Sequence, residues 1–253
     1  METRTIIFIV IILIILYVLV RLLSQSTLSG LTSANVLQTI PASSLIKGQV
    51  PNSPNFTYSI WMYVEDWNYR YGEPKIVFAR GTPSTDSQNV ATISQPCPGV
   101  SLAPVENNLI IRTTYFGGLD SHNLAQEGEN TEQDNVPVHE CQVSNIPIQK
   151  WVNVLVSAYG RSLDIYIDGK LVRTCVLPGP VRVDKDANCF ITPGGGFKGY
   201  TTKFQYFPNS TNPQQAWDIY ADGMGNDWLS GLLRTRIKIS ISDNGEESHS
   251  LTI

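Results

Sequence analysis

The sequence predicts an all-β protein, a two-layered sandwich preceded by one N-terminal transmembrane helix. Short alternating apolar segments are separated by turn residues, and the chain has 42% hydrophobic but only 16% charged residues, with 19 Gly and 15 Pro. Such a composition is typical of proteins with many short strands. The net charge of −4 argues against a nucleic-acid partner, because that kind of binding depends on neutralising phosphates.

One long apolar run lies near the start of the chain. Ile6–Val20 is fifteen residues without a charge, and Leu22 and Leu23 extend it past Arg21. As a helix, the run and its extension span roughly 27 Å, close to the ~30 Å thickness of the membrane's hydrocarbon layer. A cleaved signal peptide is the alternative, but no A-x-A site follows. We therefore expect residues 1–23 to be a single-pass membrane anchor.

The next segment has the composition of a linker. Residues 24–50 are rich in Ser and Thr and carry Lys47 as their only charge, so we expect a stalk there. The sandwich domain is then expected to occupy residues 51–253. Its C-terminal part, RTRIKISIS, alternates as a strand extension with a basic outer face. Three cations of this tail, Arg234, Arg236 and Lys238, are candidate contacts for a protein partner.

Inside the domain the periodicity predicts strands and one helix. FTYSIWMYV places its apolar residues on one face from Phe56 onwards, and WVNVLVSA is apolar on both faces, as the centre of a layered sandwich requires. In LDIYIDGKLV, Asp168-Gly169 is a two-residue hairpin turn. That turn predicts Asp164 opposite Arg173 and Val172 on the buried face. NPQQAWDIYADG is the one predicted helix of the domain.

The four cysteines have no C-x-x-C spacing that would indicate zinc. Two disulfides in an anchored domain allow three connectivities, of which we favour Cys97–Cys141 and Cys175–Cys189. Free buried thiols are the alternative, because the redox state depends on the compartment.

Taken in order, NFTYSIWMYVEDWN, IPIQKWVNVLVSAYGRSLDIYIDGKLV, GGFKGYTTKFQYFPN and PQQAWDIYADG resemble the signatures of a concanavalin A-like or laminin-G domain. The resemblance covers most of residues 55–225 and implies a jelly-roll sandwich. The set is also similar to membrane-anchored virion proteins of large DNA viruses. That similarity implies a structural minor capsid protein, tethering an inner membrane to capsid proteins, in the virion and in host membranes during assembly. The alternative is a membrane-anchored lectin that binds glycans.

Enzymes of this superfamily, the β-glucanases, carry a Glu-x-Asp-x-Glu strand in which two carboxylates perform retaining hydrolysis. Aligned on Asp164, this chain has Ser162 at the position of the nucleophile and Tyr166 or Ile167 at that of the acid/base. The comparison implies a protein without catalytic activity and without a cofactor.

A G-x-G-x-x-G pattern begins at Gly194, but the alternating YTTKFQYF follows it where a dinucleotide site needs a helix. We therefore expect these glycines to mark a bend or bulge in a sheet.

Several surface features have both a structural and a functional interpretation. The segment 117–140 holds six carboxylates without Lys or Arg, which indicates a solvated acidic loop or, by analogy with related lectins, a calcium or partner site. Asn55 and Asn209 begin N-glycosylation sequons. The aromatic residues of EDWNYRYGE, which include Trp67, suit packing at the rim of the core or stacking on sugars.

Overall fold

The computed structural model describes residues 12, 14–17, 27–45, 54–83, 93–117 and 136–224, and the backbone of residues 238–243 and 246–252. No helix in this described part of the chain is long and apolar enough to cross a membrane. Most of the expected anchor, residues 1–23, lies outside the described residues.

The described chain is built mainly from strands. In chain order they are β1 (Thr27–Ser29), β2 (Thr32–Ser33), β3 (Gln38–Ile40), β4 (Phe56–Asp66), β5 (Lys75–Arg80), β6 (Thr82–Pro83), β7 (Ile93–Ser94), β8 (Gly99–Leu102), β9 (Leu109–Thr114), β10 (Val138–Val143), β11 (Trp151–Tyr159), β12 (Ser162–Ile167), β13 (Lys170–Val176), β14 (Cys189–Ile191), β15 (Lys198–Phe207), β16 (Lys238–Asp243) and β17 (Glu246–Thr252). Two helices are described in full, Ala42–Leu45 and Pro213–Ala221, and a 3-10 turn covers Pro193–Gly195.

Two antiparallel sheets pack face to face. The seven-stranded sheet has the order β1-β15-β4-β11-β12-β13, with β2 also paired to β15, and the six-stranded sheet has the order β10-β9-β8-β5-β14-β3. Both contribute to one buried core, to which β4 supplies Phe56, Tyr58, Ile60, Met62 and Val64. The predictions of an all-β sandwich and of the alternation in β4 are confirmed.

The stalk expected over residues 24–50 is wrong for the residues that are described. β1 pairs with β15 in one sheet, while β3 pairs with β14 in the other. Ala34 and Leu45 have no exposed surface. Uncharged Ser and Thr suit strands as well as linkers, and the spaced apolar residues here bury themselves in the sandwich. The folded domain therefore includes at least residues 27–45.

The Asp168-Gly169 hairpin is confirmed, with φ of 50° and 73° at its two turn residues. The register predicted beyond it is wrong. A bulge between Ile165 and Tyr166 shifts the pairing by one residue, so that Asp164 lies opposite Thr174 and accepts a 2.6 Å hydrogen bond from its hydroxyl. Side chains change face with such a shift, and Val172 is 47% exposed.

The disulfide pairing also differs from the predicted one. Cys141 is bonded to Cys175, and their Cα atoms are 6.3 Å apart. These cysteines lie on β10 and β13, the edge strands of the two sheets, so the bond joins the sheets along one side. Cys97 and Cys189 are buried free thiols beside β5: Cys189 pairs with Arg80, and the amide of Cys97 donates to the Arg80 carbonyl.

The glycine pattern and the helix both agree with their predictions. Gly199 lies at a bulge in β15, where a Cβ atom would come within 1.9 Å of the Tyr63 carbonyl oxygen. The helix Pro213–Ala221 begins with a capping box between Asn212 and Gln215.

The C-terminal tail forms a separate hairpin, in which β16 pairs with β17. Arg234 and Arg236, and the side chain of Lys238, lie outside the described residues. Their predicted role as partner contacts stays a prediction.

Candidate functional site

The outer face of the seven-stranded sheet, which points away from the core, is partly covered by the helix Pro213–Ala221, here called the outer helix. Tyr220 of this helix stacks on Trp61 of β4, with ring centroids 5.5 Å apart and an angle of 20° between the rings. Between the helix and the sheet is a small buried cluster of Ala216 from the helix with Leu155 and Tyr166 from the sheet. The outer face therefore has a second, minor core.

The hairpin turn supports the same helix. A Cβ atom on Gly169 would lie 2.9 Å from Cβ of Tyr220 and 3.2 Å from Cα of Trp217. Glycine is thus required there both for its positive φ and for the close approach of the helix.

A buried lysine fixes the end of the outer helix. Lys203 has 1% of its surface exposed and a φ of 48°. It lies at a second bulge in β15, between Thr202 and Gln205. Its ammonium group donates to the Asp222 carboxylate at 2.9 Å and to the carbonyl of Gly223 at 2.8 Å. A cation at the carboxyl end of a helix satisfies carbonyls that have no partner within the helix.

Beyond the outer helix, three aromatic side chains lie in one row across three neighbouring strands. Tyr200 of β15 is paired with Tyr63 of β4, which is paired with Trp151 of β11. The ring of Tyr63 lies 6.5 Å from that of Tyr200 and 5.7 Å from that of Trp151. These three residues and Leu31 line a shallow cavity of about 290 Å³. We call this set the aromatic platform.

The aromatic platform is accessible to solvent. Tyr200 is 44% and Leu31 is 68% exposed, while Tyr63 and Trp151 are half-buried. Neighbouring rings are tilted against each other by 45° and 49°. Exposed aromatic residues that are contiguous and held by a rigid sheet are typical of a binding surface.

The aromatic residues of the 66–74 loop mostly serve packing. Trp67 packs against the core and donates from its indole nitrogen to the Val105 carbonyl at 3.0 Å. The ammonium of buried Lys75 lies 4.7 Å from the centre of the Trp67 ring, a cation–π contact. Burial lowers the pKa of Lys75, and the charge of Arg70 lowers it further while Glu73 opposes the shift. Only Tyr71 of the three loop aromatics is exposed.

The carboxylates singled out in the sequence do not converge on a metal or catalytic pair in the described part of the chain. Asp164 is half-buried and bonded to Thr174, and no group of three His, Cys, Asp or Glu residues in the described ranges is placed to hold a metal ion. Most of the acidic segment 117–140 lies outside those ranges, although Glu140 pairs with Arg112 at 3.0 Å.

The two sequons differ in their surroundings. The side-chain oxygen of Asn55 accepts a hydrogen bond from the Gly160 amide at 3.0 Å, and the residue is half-buried. Asn209 is exposed, and only its main-chain carbonyl is bonded, to the Thr57 hydroxyl at 2.8 Å. Asn209 is therefore the better placed of the two to carry a glycan.

Sequence reasoning missed the aromatic platform. Its residues are far apart in the chain, and no single sequence segment contains more than one of them. The signal that would reveal it is the order of the strands, because Tyr63, Trp151 and Tyr200 become neighbours only when β4 lies between β11 and β15.

Comparison with known proteins finds likeness in structure only. No protein-family model and no curated protein sequence matches this chain. Among solved structures, it is similar to the binding domain of botulinum neurotoxin DC in complex with SialylT, with 12% identity, a TM-score of 0.45 and coverage of 66% of this chain and 35% of that chain. It is likewise similar to the receptor binding domain of botulinum neurotoxin D, with 12% identity, a TM-score of 0.46 and coverage of 74% of this chain and 39% of that chain.

Proposed function

We propose that this protein is a non-enzymatic, lectin-like binding protein that holds glycans on the aromatic platform. The observation that carries the proposal is the cross-strand row of Tyr200, Tyr63 and Trp151 on the open part of the outer face. Sugar rings have apolar C–H faces that pack on aromatic rings, while their hydroxyl groups stay hydrated. A partly exposed aromatic row offers such contacts without removing the hydroxyl groups from water.

The shape of the aromatic platform favours a chain of sugars over a flat ligand. Its rings follow one another across three neighbouring strands, with centroids 5.7 and 6.5 Å apart, so successive units of an oligosaccharide can meet successive rings. The cavity is shallow, which suits the side of a chain passing over it.

The proposal includes the absence of glycoside hydrolysis. Retaining hydrolysis needs two carboxylates about 5–5.5 Å apart. Asp164 has Ser162 and Tyr166 two residues away on its own strand, and neither side chain is a carboxylate. Tyr166 packs beneath the outer helix, so that position is occupied by structural contacts.

We further propose that the N-terminal apolar segment attaches the sandwich to a membrane. The segment Ile6–Val20 supports this by its length and lack of charge. Because the first strand of the described residues is already at Thr27, the folded domain would lie close to the membrane surface and not at the end of a long stalk.

A structural role in a virion is the second candidate, and the same apolar segment together with the sequence resemblance favours it. A tethering protein would contact capsid proteins and would have no use for an accessible sugar site. Two measurements on the full-length chain in detergent separate the candidates. Saturable binding on a glycan array supports the lectin-like role; absence of glycan binding, combined with stoichiometric retention on purified capsids after detergent extraction, supports the tether.

A further inference from the structure

The aspartate of the hairpin turn has one carboxylate oxygen fixed by the sheet. Oδ1 of Asp168 accepts a hydrogen bond from the Asn153 amide at 2.9 Å, and the Asp168 amide donates to the Asn153 carbonyl at 2.9 Å. Since Asn153 belongs to β11, the two bonds tie the turn to the strand that carries Trp151. The position of the carboxylate is therefore set by backbone groups of a rigid strand.

The second oxygen is held less tightly. Oδ2 of Asp168 faces the ammonium of Lys150 at 3.6 Å, an ion-pair distance that is longer than the 2.7–3.2 Å of a typical hydrogen bond. The side chain of Asp168 is 23% exposed and that of Lys150 is 55% exposed. A ligand with hydroxyl groups can thus reach this oxygen and the lysine from solvent.

This ion pair lies beside the aromatic row, level with the adjacent row in which Asn153 is paired with Trp61. β12 follows β11 in the sheet, and Asp168, the residue after β12, is bonded to Asn153. Asn153 is two residues from Trp151 on the same face, a separation of about 7 Å along a strand. Lys150 is the chain neighbour of Trp151. The fixed carboxylate of Asp168 therefore lies one row of side chains beyond Trp151, and its lysine partner immediately precedes Trp151 in the chain.

We propose that Asp168 and Lys150 form hydrogen bonds with the hydroxyl groups of a sugar bound on the aromatic platform. This inference rests on the proposed function. The Asp168 carboxylate accepts hydrogen bonds from adjacent hydroxyl groups of the sugar ring stacked on Trp151, and Lys150 donates to a further oxygen of that ring. Hydrogen bonds from hydroxyls to an ionised carboxylate are shorter and stronger than those between neutral groups.

The charge of Asp168 determines the class of ligand. A neutral sugar with vicinal hydroxyl groups gains the charge-assisted bonds, whereas a sugar that carries its own carboxylate meets a like charge at this position. We therefore expect a preference for neutral sugars at the ring that Asp168 contacts, because a carboxylate of the ligand at that position is repelled by Asp168 even though Lys150 lies 3.6 Å away. This preference depends on Asp168 and not on the aromatic rings, which stack on either kind of sugar.

The test uses the full-length chain in detergent with two sets of ligands, linear neutral oligosaccharides of glucose, mannose or galactose, and oligosaccharides of uronic acids. Asp168→Asn preserves the turn, because Asn-Gly is equally suited to positive φ, and it keeps an acceptor for the Asn153 amide. We expect it to lose at least tenfold in affinity for the best neutral ligand, with an unchanged melting temperature and a gain for uronic acids. Lys150→Gln, which leaves the turn untouched, should lose several-fold.

Asp164→Asn is the matched control. It makes the same change from carboxylate to carboxamide on β12, away from the aromatic row, and should bind as the wild type does. Wild-type binding that is abolished by Trp151→Ala but is the same in Asp168→Asn and Lys150→Gln would overturn this inference and leave the proposed function intact. Absence of binding by the wild type to every ligand of both sets would overturn both.

Discussion

The phenol ring of Tyr220 lies nearly parallel to the indole of Trp61, with 5.5 Å between ring centroids. This stack marks the boundary between the covered and the open parts of the outer face. Trp61 and Tyr63 are two residues apart on β4, yet the first is 7% exposed and the second is half-buried and lines the shallow cavity. The position of the outer helix therefore determines which aromatic residues are available to a ligand.

Removing the lysine at the end of the outer helix should weaken the fold. Lys203→Met removes the cation from the Asp222 carboxylate and from the main-chain carbonyls of Asp222, at 3.3 Å, and Gly223. We expect a loss of about 1–3 kcal/mol in the free energy of unfolding. Chemical denaturation measures the loss. Lys198→Met, on the same strand, is the control, because Lys198 is 49% exposed and makes only a 3.8 Å ion pair with Asp66. An equal effect of the two substitutions would contradict this role of Lys203.

Gly199 should not tolerate a side chain. A Cβ atom there would meet the Tyr63 carbonyl at 1.9 Å, so Gly199→Ala must displace β15 from β4, and we expect a loss of about 3 kcal/mol or more. Gly30→Ala is the control, because no heavy atom lies within 4 Å of the position of its Cβ atom. Thermal unfolding of the two variants gives the comparison, and a stable Gly199→Ala protein would argue against the register of β15.

The disulfide between the sheet edges should contribute to stability under oxidising conditions. Replacing both Cys141 and Cys175 with Ser removes a cross-link over 34 residues, and we expect a loss of about 2–4 kcal/mol in the free energy of unfolding. The matched double variant of Cys97 and Cys189, which breaks no disulfide, tests the pairing. Peptide mapping without reductant that finds Cys97 linked to Cys141 would refute the observed connectivity.

The remaining two thiols should be inert in the native protein. Burial raises the pKa of both Cys97 and Cys189 from 9.0 to about 12, although the charge of Arg80 opposes the shift. Iodoacetamide at pH 8 should therefore label them only after unfolding, as mass spectrometry can show. Since their pKa values are higher in the folded state, the stability that the neutral thiols contribute is complete below pH 9 and is lost as the pH rises towards 12.

Local sequence patterns predicted the elements whose form depends on neighbouring residues. The alternation in β4, the Asp168-Gly169 turn and the capped helix after Asn212 all follow from short-range chemistry. The bulge between Ile165 and Tyr166 could not be predicted in this way, because no Gly or Pro in the strand marks it, while Tyr166 packs in the cluster with the outer helix. Because the predicted register lacked this one extra residue, the prediction placed Val172 on the buried face, whereas it is exposed in the structure.

Contacts between distant segments could not be predicted in the same way. The disulfide depends on which strands form the edges of the two sheets, and the aromatic platform depends on β4 lying between β11 and β15. Residues 27–45 were assigned to a stalk because their composition fits a linker, yet β1 and β3 complete opposite sheets. Strand order is a long-range property, so periodicity within a single segment does not determine it.

The most direct test of the central claim is the affinity of Trp151→Ala for the neutral oligosaccharide that the wild type binds best, measured by calorimetry on the full-length chain. Tyr159→Ala is the matched control, because Tyr159 is an outward-facing aromatic residue on the same strand, 67% exposed and at the opposite end. We expect Trp151→Ala to lose at least tenfold in affinity while Tyr159→Ala binds normally. Equal binding by wild type, Trp151→Ala and Tyr159→Ala would contradict the assignment of the glycan site to the aromatic platform.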